Sequence, residues 1–248
     1  MNLQEGGNIF KGKDKKPLTI RINQADVDPT LQWLEQILKI DLVNNKLGTT
    51  GRRETSGDLD IAVDQSKYSK DDIVDRLKAW TDQHGLNAKE WIRKSGISVH
   101  FKTPINGNDK NGFVQTDLMF GDPTWMAWSL RGAFGDTPFK GVHRQILMSS
   151  IAKVQGLKWS PTAGLTSRET NELVSKDPDE IARLLLGGNA RKDDLESVET
   201  IIDKIKTRPD YSKLVADARE TFARDNLELP ESVQEGTAKW MRDMANKL

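Results

Sequence analysis

A chain of 248 residues with 36% hydrophobic positions and a mean hydropathy of -0.62 reads as globular, long enough for one large domain or two small ones. Its 37 basic and 37 acidic residues balance, which excludes a general electrostatic pull toward nucleic acid and leaves only local patches. Zero cysteines exclude disulfides and thiolate ligands, and three isolated histidines make a zinc centre a poor fit. No apolar run reaches bilayer-spanning length, and the start, Met1-Asn-Leu-Gln-Glu-Gly-Gly, lacks the basic and apolar regions of a signal peptide. A cytoplasmic protein with no membrane partner is the expectation.

In chain order, Lys11, Lys13, Lys15 and Lys16 come first, a basic cluster that reads as a solvated tail. Asp28-Pro29 then opens a helix as cap and first-turn proline, with Leu31, Leu34, Ile37 and Leu38 as its buried stripe. Next comes a segment dense in polar chemistry, Leu47-Gly-Thr-Thr-Gly-Arg-Arg-Glu-Thr-Ser-Gly57. Gly48 and Gly51 permit tight turns whose N–H groups can face an anion, while Arg52 and Arg53 bring permanent charge in a fork suited to phosphate oxygens. If the intervening segment is a short helix, at least one arginine faces the cleft. Ser56 and Gly57 add a hydroxyl and an approachable backbone.

The strand Asp58-Leu-Asp-Ile-Ala-Val63 follows at once, and its period of two sets Asp58 and Asp60 on one face against Leu59, Ile61 and Val63 on the other. Two carboxylates held that close repel, which raises the pKa of one unless a cation compensates. With oxygen ligands only, that cation is Mg2+ or Mn2+.

Ser69 to His84 reads as the next helix, capped by Ser69 and closed by Gly85, with Ile73, Leu77 and Trp80 on its apolar side. Gly96 to Pro104 and Phe113 to Phe120 then form a long hairpin across a turn-rich Asn106–Gly112. In the second strand Val114, Thr116, Leu118 and Phe120 share one face, so Asp117 projects from the other between Gln115 and Met119. Helices are predicted over 123–131 and 139–155, with short extended pieces at 157–160 and 165–167. Composition shifts near Ser175, after which helices follow over 177–186, 192–206, 211–225 and 231–246. The fold class is α+β: a mixed sheet flanked by helices over 1–174, then a helical subdomain over 175–248.

Gly48-Thr49, Arg52-Arg53 and Ser56-Gly57-Asp58-Leu59-Asp60 together resemble the signature of the nucleotidyltransferase superfamily typified by DNA polymerase beta, with family X polymerases closest in motif. That family carries Gly-Ser where this chain has Gly48-Thr49, and one residue more between the first glycine and the first aspartate. Which of Arg52 and Arg53 contacts phosphate therefore stays open. Phe134 to Arg144 is similar to the family segment that follows the third aspartate, with Gly135, Phe139 and Arg144 at matching places. No lysine-bearing amino-terminal lyase domain of the usual size and no clear helix-hairpin-helix pattern of the repair polymerases is evident, and the compact chain resembles nucleotidyltransferases of phage genomes.

The resemblance implies a palm-like catalytic domain in which Asp58, Asp60 and Asp117 hold two divalent cations and Gly48, Thr49, an arginine, Ser56 and Gly57 bind the phosphates of a nucleoside triphosphate. Asp58 and Asp60 would bridge both ions, with Asp117 on the nucleophile side. The implied reaction moves a nucleoside monophosphate from an NTP or dNTP to an acceptor hydroxyl with release of pyrophosphate. The acceptor is open: a nucleic-acid end, a tRNA, a protein or a small molecule, chosen by the carboxyl-terminal helices. Two other readings stand beside it, a template-directed family X-like polymerase and a nucleotide sensor without turnover.

Each feature has a plain rival. An Asp-x-Asp pair alone suits a solvated edge, and Arg52 or Arg53 could pair with Glu54 on the surface. The seven tryptophans suit packing, and His100 and His143 suit satisfied structural roles, so neither histidine is assigned to catalysis.

Overall fold

The computed structural model describes residues 8–132, 139–225 and 227, which form a mixed α+β protein in two compact units that divide between Ala127 and Trp128. Among the described residues no helix is long and apolar enough to cross a membrane.

The first unit begins with a loop that folds back on itself, where Leu18 N–H donates to Phe10 O at 2.8 Å and Gly12 N–H to Lys16 O at 2.9 Å. The four lysines ride on this ordered loop, which corrects the expectation of a tail; Phe10, 1% exposed, is its apolar anchor. Strand β1 (Ile22–Asn23) pairs antiparallel with β2 (Thr55–Ser56). Helix α1 (Gln24–Leu38) starts a full turn before Asp28, with Asn23 as the extended cap residue and Pro29 inside the helix. The start is set from a distance, because Gln24 N–H donates to Glu54 O at 2.8 Å. Pro29 forfeits one bond in the helical ladder. Val27, Leu31, Leu34 and Leu38, all buried, offset that loss at roughly 1.5–3 kcal/mol for a fully buried aliphatic side chain.

Strand β3 (Asp58–Asp64) leads to helix α2 (Lys70–Gln83), whose Ser69 side chain accepts from Asp72 N–H at 3.1 Å while the Asp72 carboxylate accepts from Ser69 N–H. Such a cap is typically worth about 1 kcal/mol. A short helix α3 (Ala88–Trp91) enters β4 (Ile92–Ser95), which is followed by β5 (Ser98–Pro104), β6 (Phe113–Gly121) and α4 (Pro123–Ser129). The four longer strands make one mixed sheet in the order β3-β6-β5-β4, with β3 parallel to β6 and the remaining pairs antiparallel.

The two faces of that sheet follow the residue alternation. Leu59, Ile61 and Val63 of β3, Val99 and Phe101 of β5, and Val114, Leu118 and Phe120 of β6 join the stripes of α1 and α2 in one buried cluster. Thr116 and Thr103 share this face without cost because their hydroxyls bond each other at 2.7 Å. Trp33, Trp80 and Trp91 pack edge-on with each other and with Phe101 and Phe113, the packing role expected of them. The opposite face carries Asp58, Asp60, Gln115, Asp117 and His100.

In the second unit, helix α5 (Gly141–Val154) is followed by an antiparallel sheet of β7 (Leu157–Ser160), β8 (Gly164–Ser167) and β9 (Leu173–Ser175). Helix α6 (Pro178–Leu186) is capped by Asp177, whose side chain accepts from Glu180 N–H at 2.7 Å. Then come α7 (Val198–Ile205), α8 (Tyr211–Leu214) and α9 (Ala216–Arg224), so the described residues beyond β9 are helices and turns. The helix expected over 231–246 and Gly135 lie outside the described residues.

Candidate active site

The loop before β3 is built by turns held from several sides. Gly48 and Gly51 take left-handed backbone, φ 56 and 68, and a Cβ at Gly51 would stand 3.3 Å from Val27 Cγ1. The segment runs through turns and bends into β2, so the condition of a short helix before Asp58 is not met. Its reversal is fixed instead by contacts to the strand it feeds: Leu47 N–H donates to Asp60 O at 2.8 Å, and Asp60 N–H donates to Thr50 Oγ1 at 3.0 Å. Gln24 Nε2 holds Gly51 O at 3.0 Å from the side of α1. Ser56 is buried, and its Oγ accepts from Gly51 N–H at 3.3 Å, so this hydroxyl braces the loop as well as facing the space beside it.

Strand register brings the acids together. Asp60 sits opposite Asp117 in the parallel β3–β6 pair, with Asp58 opposite Gln115, and the three carboxylates offer ligand oxygens all within 4.8 Å of one another. Full charges at that separation repel by roughly 3–4 kcal/mol per pair at an effective dielectric of about 20. The strain appears in their acidities: burial first, then Asp58 and Asp117, push the Asp60 carboxyl well above its usual 3.8. Burial and then Asp117 raise Asp58, while its backbone hydrogen bond and the Arg21 guanidinium work the other way. Oxygen donors of excess negative charge, with no thiol in the chain, are the donor set of a hard divalent cation. The triad could hold a metal ion.

Asp117 is the constrained member. His100, opposite it in the β5–β6 register, places Nδ1 2.7 Å from Asp117 Oδ1, and Gln115 Nε2 donates to Asp117 Oδ2 at 3.2 Å. Gln115 is tied in turn to the amino-terminal loop, since its Oε1 accepts from Ile9 N–H at 2.9 Å. His100 and Gln115 were not among the site residues read from sequence. The signal that could have found them is parity, because both fall on the acid-bearing face once the hairpin register is known.

Beside Asp58 lies a polar cavity of about 400 Å³ lined by Thr49, Arg53, Ser56, Gly57, Asp58, Gln115 and three residues the sequence reading passed over, Asn8, Arg21 and Thr55. Arg21 is oriented there by two bonds to Thr55, Nε to Oγ1 and Nη2 to the carbonyl, each 3.0 Å. The cavity thus gathers two guanidinium groups, hydroxyls and turn backbone next to one acid of the triad. Arg53 borders it; Arg52 does not. Gly48, the remaining phosphate-binding candidate, contributes its turn rather than a place on the cavity wall. A second cavity of about 610 Å³ lies at the far end of β3 and β6, where Asp64, Ser66, Lys67, Tyr68 and Asp122 are among its lining.

Arg144, matched by the resemblance to a helix arginine, and His143, assigned no catalytic role, both lie on α5 of the second unit. Arg144 is buried in the second unit, its Nε donating to Leu195 O and its Nη1 to Ser129 O at 3.0 Å. Burial and the charge of Arg131 lower its pKa to about 10. His143, also buried, accepts Lys140 N–H at Nδ1 at 2.9 Å and packs on Phe139 and Phe222.

A comparison with protein-family models gives no match, and a comparison with curated proteins gives none either.

Proposed function

We propose that the chain is a metal-dependent nucleotidyltransferase of the DNA polymerase beta type, with the four-stranded sheet as its palm. The observation that carries this reading is a conjunction: three carboxylates from adjacent strands converge on one sheet face, and a cavity with two arginines opens beside one of them. Either feature alone is common. Together they suit a substrate with a triphosphate and a reaction centre that needs cations.

Asp58, Asp60 and Asp117 would hold Mg2+ or Mn2+, which supplies charge neutralisation at the phosphates and a lowered pKa for the acceptor hydroxyl. Arg53 and Arg21, with Thr49 and the Gly48–Gly51 turns, bind the β and γ phosphates and keep the nucleotide in line. The acceptor oxygen bonds to the α phosphorus as the bond to the bridging oxygen breaks, pyrophosphate departs, and the hydroxyl proton passes to a carboxylate of the triad and then to water. His100 and Gln115 hold Asp117 in place during this exchange.

The test is incubation of the full chain with labelled NTPs and dNTPs, Mg2+ or Mn2+, and a panel of acceptors: oligonucleotides, tRNA, proteins and small alcohols. Incorporation that Asp58→Ala abolishes supports the reading. Tight triphosphate binding with no turnover in any combination would instead identify a sensor.

A further inference from the structure

The lysines that the transfer reaction leaves unused occupy a defined surface. Lys11, Lys13, Lys15 and Lys16 are all exposed on the amino-terminal loop, and the one acid among them, Asp14, accepts from Lys16 N–H at 3.1 Å and lies 3.6 Å from its Nζ. Four lysines against one aspartate leave an excess of three positive charges on six residues of a chain whose net charge is zero. The loop is not free to collapse onto other acids. Phe10 is buried under the Arg93 guanidinium, 5.9 Å from its ring centre, and Asn8 Nδ2 holds Thr19 O at 3.3 Å. Ile9, Leu18 and Ile20 stand exposed among the cations.

Its attachment gives this surface a purpose. Ile9 N–H is separated from the Asp117 carboxylate by one side chain, Gln115, which bonds both. The two ends of the loop, Asn8 and Arg21, line the cavity assigned above to the triphosphate, so the loop springs from the rim of the nucleotide site. An acceptor whose hydroxyl lies at Asp117 therefore has the base of this loop as its neighbour, and the lysines follow from the Lys11–Pro17 bridge to the turn beyond it.

We infer that the loop over residues 8–20 docks the acceptor and that the acceptor is a single-stranded nucleic acid held by its phosphates. The inference rests on the nucleotidyl-transfer reading for its chemistry but on separate residues for its binding. Lysines spaced along a loop match a chain of phosphates, and a flexible end can bring its terminal hydroxyl to the carboxylates. With Phe10 buried, the loop offers no aromatic platform, so recognition is electrostatic and indifferent to sequence. Lysines with exposed aliphatic residues also suit an anionic membrane, but the link to Asp117 through Gln115 places the loop at a substrate rather than at an anchor.

The experiment is fluorescence anisotropy of the full chain with labelled single-stranded DNA and RNA, alongside sedimentation with phosphatidylserine vesicles. Four phosphate contacts predict that log affinity falls with log salt at a slope of about -3, each Lys→Gln change removing about 0.7. Replacing all four lysines with glutamine should flatten the slope and weaken binding about tenfold or more at low salt, with the circular dichroism spectrum unchanged. Binding that is equal in this variant and the native chain overturns the inference, as does vesicle binding without oligonucleotide binding. Asp58→Asn separates the two claims, since it should end incorporation and leave oligonucleotide affinity intact. Lysine-dependent binding in a chain that never incorporates nucleotide would sink the transferase and keep the surface. Incorporation that the lysine changes leave untouched would do the reverse.

Discussion

Asp60 and Asp117 stand on the same rung of the parallel β3–β6 ladder, so two carboxylates leave one sheet face side by side. Asp58, two residues earlier on β3, completes a group whose charges cannot all be carried cheaply without a cation.

The first prediction concerns pH and metal. Burial, Asp58 and Asp117 hold the Asp60 carboxyl well above 3.8 in the folded chain. The folded state then keeps a proton that the unfolded state gives up, so without metal, stability falls as pH rises from the ordinary carboxylate value through the higher folded value. Asp60→Asn should remove this penalty, about 1.4 kcal/mol for each unit by which the pKa is raised. Thermal melts at neutral pH in chelator should show a higher Tm for the variant, whereas added Mg2+ should raise only the native Tm. Equal responses to Mg2+ would count against a metal at this site.

The second distinguishes the arginines. Arg21 and Arg53 border the cavity at Asp58, and Arg52 does not. Replacing either of the first two with alanine should raise the nucleotide KM by about 10–150-fold, the loss of one charge-assisted phosphate contact of about 1.5–3 kcal/mol, with Arg52→Ala the mildest. Because Arg21 opposes the rise in the Asp58 pKa, Arg21→Ala should also move the acid limb of the pH–rate profile upward. A profile that stays in place would remove Arg21 from the electrostatics of the triad.

The third addresses the restraints on Asp117. His100→Asn and Gln115→Leu each free one carboxylate oxygen. Partners of metal-binding groups typically contribute 10–100-fold in metal affinity or activity. We expect kcat to fall in that range and the metal requirement to rise, with nucleotide KM nearly constant. A change confined to KM would mean that these side chains serve the nucleotide instead.

The fourth tests the loop-to-strand bond. Thr50 Oγ1 receives Asp60 N–H and is buried. Thr50→Val leaves that N–H unpaired and should cost about 1–3 kcal/mol in urea unfolding, while Thr50→Ser should stay near the native value. Equal losses for Val and Ser would assign the effect to packing of the threonine methyl.

What the sequence made legible was local. The alternation in Asp58–Val63 and Phe113–Phe120 set the faces of β3 and β6, and the Ser69 cap with Gly85 bounded α2, because these depend on nearest neighbours along the chain. The expected start of α1 failed for the opposite reason: Asp28-Pro29 has the local form of a helix opening, but Gln24 is held by Glu54 across the fold. The same limit hid Arg21, placed by Thr55, and made the lysines read as a tail, since Phe10 and Ile9 are anchored by Arg93 and Gln115. His100 has no local signal of its role, as only strand register sets it against Asp117.

The order β3-β6-β5-β4 puts the acid-bearing strand at the rim of its sheet. A rim strand offers unpaired backbone to any other chain with an open edge, and charged side chains are one way such pairing is discouraged. On β3 the isolated bridge from Lys46 to Ile61 covers part of that rim, and Asp58 and Asp64 stand at its two ends. The opposite rim, β4, carries Arg93 and Lys94. Charge at the ends of one rim and along the other thus also acts against self-association through the sheet edges.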